Sequence, residues 1–310
     1  MTTACVDSGP VAVHYGLWTG RGEAQHIGAL KFKEIVEAGS QGKFEVILHL
    51  SNQLGTPTEM LAQLALDVTQ VMASGDPGLV DIEYLSLPYL MRGMGNYEFI
   101  LNGPIGEEWN RTLADTRHVR LLGLLPRSAR QISANRIVRS MADLEGLRLR
   151  VPKRDYYIQS VAAFGARPTP MAFAEIYMGL QTGVVDGLEN PIETLYAQRF
   201  YEVQKSILMI DYIMKPAYVM IGAPFWRSLS EPEQTLFHSA AVAARDVVVE
   251  LLPEQERVFL AEMEAAGIVV TYPDKREFVA ATRQVREDLG KERWGAELYQ
   301  TIYEIGQRVF

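Results

Sequence analysis

The sequence predicts an α/β protein organised as two units, and three observations carry that expectation. The first 90 residues alternate short β-branched runs with amphipathic stretches in a βαβαβ order. A second alternation of the same kind begins near residue 119. No internal repeat and no low-complexity linker separates the two, so the lobes are expected to exchange the chain more than once. At 310 residues the chain is long enough for two cores of about 150 residues each.

In order, Val11-Ala-Val-His-Tyr15 reads as a first strand, closed by the turn-rich Thr19-Gly20-Arg21-Gly22. From Ala24 to Ala38, Ile27, Leu30, Ile35 and Val36 fall near helical spacing. Phe44 to Leu50 reads as a buried strand. Thr56-Pro57-Thr58-Glu59 then carries the signature of a helix start, with Thr56 as cap, Pro57 as first helical residue and Glu59 as capping-box partner. Met60, Leu61, Leu64 and Ala65 continue that helix, and Gln70 to Ser74 is a third strand. This rhythm implies a sheet with parallel strands and ligands near their C-terminal ends.

In the second half, Val119 to Leu125 is a strand, and Leu147-Arg-Leu-Arg-Val151 is another whose Arg148 and Arg150 share a face. Helices are expected over 155–164 and 173–182, with a strand over 184–189 that leads into Asn190-Pro191. Ser230-Glu-Pro-Glu233 opens a long helix that runs to about Ala266 with a kink near Pro253. A strand at 268–272 and terminal helices complete the chain.

Composition narrows the function. Apolar residues make up 48% and charged residues 22%, and the formal net charge of -8 argues against nucleic-acid or polybasic membrane-surface binding. The single cysteine, Cys5, excludes an internal disulfide framework and a cysteine-based metal site. No apolar run reaches the roughly 18 residues that span a bilayer. The opening MTTACVDSGP lacks a basic leader and an apolar core. It implies either a cytosolic protein or an exported one whose leader is not part of this sequence. Cys5 after Thr-Thr-Ala bears a loose likeness to a lipoprotein cleavage site.

Catalytic signatures are missing. Gly20-Arg21-Gly22 imitates the start of a dinucleotide fingerprint, but Gln25 stands at the third glycine position. The five histidines show no metal-ligand spacing, and Glu107-Glu108 diverge on a helix. The arginines are more informative. Arg130, Arg148, Arg150 and Arg154 surround the middle strands, and arginine suits forked recognition of a carboxylate.

GLRLRVP (146–152), FGARPTPMAFAEIYMGLQTGVVDGLENP (164–191) and FYEVQK (200–205) closely resemble the solute-binding proteins of tripartite ATP-independent periplasmic (TRAP) transporters, the DctP family. QGKFEV, NQLG, LPYL, ARQISANR, LSEPEQ and AAGIVVTYP follow in the same order along the chain, so the resemblance covers nearly all of it. It implies a two-lobed, periplasmic binding protein-like α/β fold with a ligand cleft between the lobes and a long helix, 231–266, lying across both. Lobe I would hold 1–127 and about 216–252; lobe II would hold about 128–215 and 253–310. The resemblance also implies a periplasmic location, capture of a small carboxylate, delivery to TRAP membrane permease subunits, and no catalysis, cofactor, metal or nucleic acid. A monomer is expected.

Carried over by position, Arg150 matches the arginine that grips the ligand carboxylate and Arg130 a second arginine facing the ligand. Asn190 matches an asparagine on the same carboxylate, and Phe173 the aromatic packed beside it. Trp18, Glu23 and Ser74 occupy first-lobe loop positions that read the rest of the ligand. ARQ, MAFAE and FYEVQK bring the chain near the sialic-acid-binding branch, yet Thr56 and Ser74-Gly75 stand where that branch places acids. A smaller acid, such as a uronate or aldonate, is therefore expected. The alternatives are an enzyme that uses Arg150 to hold a carboxylate, with Glu23 or Glu189 as base, or a protein presenting ligand to a membrane sensor.

Overall fold

The computed structural model describes residues 9–310, so the Cys5 reading lies outside the described residues. The chain divides into two compact units. The first comprises residues up to Gly78, Asn110–Pro126 and Ala217–Leu251; the second comprises Leu79–Trp109, Arg127–Pro216 and Leu252–Phe310.

The first unit is built on a five-stranded sheet. Its strands are β1 (Val11–Leu17), β2 (Phe44–His49), β3 (Val71–Ser74), β4 (Val119–Leu125) and β10 (Ala217–Gly222), in the order β2-β1-β3-β10-β4. β1 runs parallel to β2 and β3, as a βαβαβ order requires, whereas β10 is antiparallel to both of its neighbours. Helices Ala24–Gly39 and Pro57–Ala65 are the crossovers. The second starts as its sequence dictates: the Thr56 side chain accepts from Glu59 N, and Glu59 reaches back to Thr56 N at 2.7 Å. The core is aromatic. Phe237 meets Phe32, Phe44 and Phe225 edge-on at 5.9, 5.3 and 5.7 Å.

The second unit holds a six-stranded sheet of β5 (Arg130–Ala134), β6 (Arg148–Val151), β7 (Arg167–Pro170), β8 (Gly187–Pro191), β9 (Ser206–Leu208) and β11 (Val269–Thr271), in the order β11-β9-β5-β8-β6-β7. β8 pairs antiparallel with β5 and parallel with β6, which brings three distant motifs side by side. The expected helix over 173–182 is a 3-10 turn, Phe173–Glu175, followed by the helix Ile176–Gln181. The expected strand at 184–189 begins only at Gly187, so Asn190 and Pro191 lie within it.

Residues 79–109 group with the second unit, where the sequence reading had placed them in lobe I. The reason is local bonding: Asn96 Nδ2 donates to Ile305 O at 2.7 Å, and Tyr97 Oη donates to Met214 O at 2.6 Å. The long helix Glu231–Ala265 runs through Pro253, and its residues change unit between Leu251 and Leu252. At its start Glu233 accepts from Ser230 N and Oγ, both at 2.8 Å, and also pairs with Lys43.

Candidate carboxylate-binding site

In β6 the alternation of LRLRV sends Leu149 and Val151 into the core and Arg148 and Arg150 to the other face. The two arginines then part in role. Arg148 is exposed and forks onto Asp186, Nε to Oδ2 at 2.9 Å and Nη2 to Oδ1 at 2.8 Å, stapling β6 to the start of β8. Arg150 is 4% exposed and has no acidic partner within ion-pair distance among the described residues. Its Nε and Nη2 both donate to the carbonyl of Met171, at 3.0 and 2.8 Å. That grip fixes the guanidinium plane and leaves Nη1 without a hydrogen bond among the described residues.

Burial pulls the Arg150 guanidinium below its ordinary pKa; Glu189 opposes this and Arg130 adds to it. A buried cation without a counter-charge is costly, and an arriving carboxylate removes that cost. The register places Asn190 on the same face, since Leu188 lies opposite Arg150 and Asn190 follows two residues later. Asn190 Oδ1 accepts from Arg130 Nη2 at 3.1 Å. Arginine cannot accept, so the amide orientation is fixed, and the buried Nδ2 is left with no partner among the described residues.

Arg130, expected as a second arginine facing the ligand, has an acidic partner where Arg150 has none. It is 6% exposed and forks onto Glu189, with Nη2 reaching Oε1 at 2.7 Å and Nε bonded to Oε2. Nη2 also donates to Glu189 O at 2.9 Å, and the ring of Tyr157 lies 4.9 Å from the guanidinium. Tyr212 Oη donates to Glu189 Oε2 at 2.6 Å. Burial works against the Arg130 charge, but Glu189 outweighs it and holds the guanidinium well above its ordinary value. Arg130 is thus a neutralised strut under Asn190. Glu189, Tyr157 and Tyr212 are the partners that sequence reasoning missed; the only visible signal was the carboxylate inside Leu188-Glu189-Asn190-Pro191. With Arg130 and Tyr212 bonded to it, Glu189 is not a free general base.

Phe173 is 44% exposed, edge-on to Phe200 at 6.3 Å, and offers an apolar wall. Trp18, Glu23 and Ser74 belong to the first unit. Trp18 follows the end of β1 and is half-buried, and Ser74 closes the adjacent parallel strand β3. Ser74 Oγ accepts from Asp76 N at 3.0 Å, and Glu23 Oε1 accepts from Gly20 N at 2.5 Å. Both side chains shape loops at the C-terminal ends of parallel strands, where α/β sheets hold ligands. The buried Thr19 Oγ1 in the same loop has no hydrogen-bond partner among the described residues, and the sequence reading did not single it out. Among the described residues no group of three His, Cys, Asp or Glu side chains could hold a metal ion, and no helix is long and apolar enough to cross a membrane.

Arg150 and Asn190 thus put a buried cation and an unpartnered amide donor on one face of the sheet, the donor set that suits a carboxylate. Two α/β units with such an anchor define a solute-binding protein. The chain matches the model of bacterial extracellular solute-binding protein family 7, DctP, over residues 16–292, and it belongs to that family. It is 31% identical to the sialic acid-binding periplasmic protein SiaP of Vibrio cholerae, over 89% of this chain and 86% of that protein. It is 28% identical to the 2,3-diketo-L-gulonate-binding periplasmic protein YiaO of Escherichia coli, over 95% of this chain and 92% of that one. Among solved structures, a TRAP periplasmic solute-binding protein from Roseobacter denitrificans with bound L-galactonate superposes with a TM-score of 0.83 at 26% identity, covering 97% of this chain and 99% of that one. The family and its structural neighbours are transport proteins that bind substrates, not enzymes.

Proposed function

We propose that this protein captures a sugar monocarboxylate of the aldonate or uronate class in the periplasm and hands it, as a monomer, to TRAP membrane permease subunits. Arg150 is the anchor, Asn190 Nδ2 the second donor to the same carboxylate, and Phe173 the wall beside it. Arg130 positions Asn190. Trp18, Glu23 and Ser74 belong to the loops that read the hydroxylated remainder.

The observation that carries this reading is the charge count around Arg150. Arg130 is cancelled by Glu189, so the two arginines together offer one uncompensated positive charge. A monoanion balances that charge; a dianion leaves one carboxylate unpaired. Charge-assisted hydrogen bonds contribute about 1.5–3 kcal/mol each. Two or three of them supply a large part of the roughly 8 kcal/mol of micromolar affinity. Relatives that bind L-galactonate and 2,3-diketo-L-gulonate support a sugar acid. Thr56 and Ser74 in place of first-lobe acids count against sialic acid, which the Vibrio cholerae relative binds.

The test is calorimetric titration with galactonate, galacturonate, glucuronate, sialate and succinate. Tightest binding by an aldonate or uronate is expected. A preference for succinate, or for a neutral sugar over its acid, would overturn the reading. Light scattering that gives the monomer mass of 34.7 kDa is expected with and without ligand.

A further inference from the structure

The second unit contains a cavity of about 920 Å³, and none of Arg130, Arg150, Phe173 or Asn190 lines it. Leu252 and Leu260 of the long helix and Val279 of the helix Lys275–Ala281 form an apolar wall. The opposite character comes from cations. Arg92, Arg127, Arg257, Lys275 and Arg286 line the cavity, against the acids Asp211 and Glu256.

Pairing sorts these cations. Arg127 bonds Glu193 at 3.0 Å, Arg257 bonds Glu254 at 2.6 Å, and Lys275 holds Asp211. Arg92 and Arg286 have no acidic partner within ion-pair distance among the described residues. Arg92 is exposed, and among the described residues its side chain donates only to Gln307 Oε1, at 3.2 Å, so water carries much of its charge. Arg286 is different, because it is 3% exposed. Its Nη1 donates to Pro88 O at 3.0 Å and its guanidinium lies 5.5 Å from the Tyr303 ring. Its Nε has no hydrogen-bond partner among the described residues. Among the described residues the one lining acid without a cation bonded to it is Glu256, whose carboxyl burial pushes above the ordinary range; a Ser128 hydrogen bond opposes the shift and Glu193 and Asp211 add to it. It forms no ion pair with Arg286 among the described residues.

A buried guanidinium with an idle donor, at the wall of a cavity of ligand size, is stabilised by an anion. The apolar wall needs something other than water or an inorganic ion to cover it. We infer that this cavity is a second binding site, for an organic anion that joins one carboxylate to an apolar body. The carboxylate sits between Arg286 and Arg92, and the body lies against Leu252, Leu260 and Val279. Its chemistry differs from the hydroxylated acid proposed for Arg150, and the two sites are separable by mutation.

The probe is 2-naphthoate, titrated calorimetrically into the full chain, with 2-naphthalenemethanol as the uncharged comparison. Saturable binding of the acid is expected, with the alcohol about tenfold weaker, as loss of a charge-assisted bond requires. Arg150→Ala should leave naphthoate affinity unchanged within about twofold, whereas Arg286→Gln should lower it about tenfold. Arg92→Glu, at an exposed position that does not threaten folding, should also weaken it, and thermal unfolding checks both variants. No heat from the wild-type protein at millimolar naphthoate would overturn the inference. So would equal binding of the alcohol, loss of binding in Arg150→Ala, or full binding in Arg92→Glu.

Discussion

Glu189 accepts from both Nε and Nη2 of Arg130, so the second arginine of the site carries no free charge toward a ligand. Arg150, two strands from Arg130 with β8 between them, is anchored by a neutral carbonyl and keeps its charge. The two variants should therefore fail differently. Arg150→Ala is expected to cost about 2–5 kcal/mol of ligand affinity, the range for breaking a desolvated charge pair, with little change in stability. Calorimetry on the cognate acid checks this, and undiminished affinity would remove Arg150 from the site.

Glu189→Gln removes the counter-charge from a guanidinium that is 6% exposed. Breaking a buried pair in this way costs about 3–5 kcal/mol. The same change frees a second positive charge beside Asn190. Urea denaturation should show the destabilisation, and titration should show succinate gaining on monocarboxylates relative to wild type. If the ligand preference stays as it was, Arg130 is too far from the ligand for its charge to matter.

Local chemistry was legible in the sequence where neighbours in the chain decide the outcome. Thr56, Pro57 and Glu59 specify a helix start among themselves, and the structure contains it. The alternation of Leu147 to Val151 likewise specifies one buried and one polar face. The β8 boundary was misread because Val184 and Val185 look like strand residues. Gly183, at φ +71°, ends the preceding helix, Val185 N bonds back to Gly179 O, and pairing starts only at Gly187. The antiparallel strand β10 (Ala217–Gly222) was not singled out, because its neighbours β3 (Val71–Ser74) and β4 (Val119–Leu125) lie far away in the chain. The Arg130–Glu189 fork joins residues 59 apart, and no local pattern announces it. Arg130 and Arg150 read alike as carboxylate ligands until their partners are known.

Gly187 tests how tightly the strand register controls the site. A Cβ there would meet Ser133 O at 2.1 Å and a Leu149 methyl at 2.9 Å, backbone on one side and core on the other. Gly187→Ala must therefore push β8 away from β5, which carries Arg130, or from β6, which carries Arg150. Overpacking of this kind costs about 1–3 kcal/mol or more of stability. Ligand affinity should fall with it, because Asn190 sits three residues along the same strand. A variant with wild-type stability and affinity would mean that the sheet is more compliant than the packing indicates.

The histidine pair His14–His49 sets the response to mild acid. His14 Nδ1 and His49 Nε2 lie 2.9 Å apart on neighbouring strands, a contact that requires one ring to accept. Burial, and then His14, hold the His49 pKa below its ordinary value; burial, and then Arg21, do the same for His26. An unfolded histidine takes its proton near pH 6.5, whereas these two resist it while the chain is folded. Their stabilisation is therefore fully present above about pH 6.5 and drains away as the pH falls through the folded values. The carboxylates act in a lower window: Glu233 and Asp274 are each lowered to about 2, so their stabilisation is lost below about pH 4. Denaturant titrations from pH 7.5 to 5 should show stability declining across the histidine window, and His49→Gln should flatten that decline. Constant wild-type stability over this range would show that the folded histidines take up protons as readily as the unfolded ones, and the contact would then be incidental.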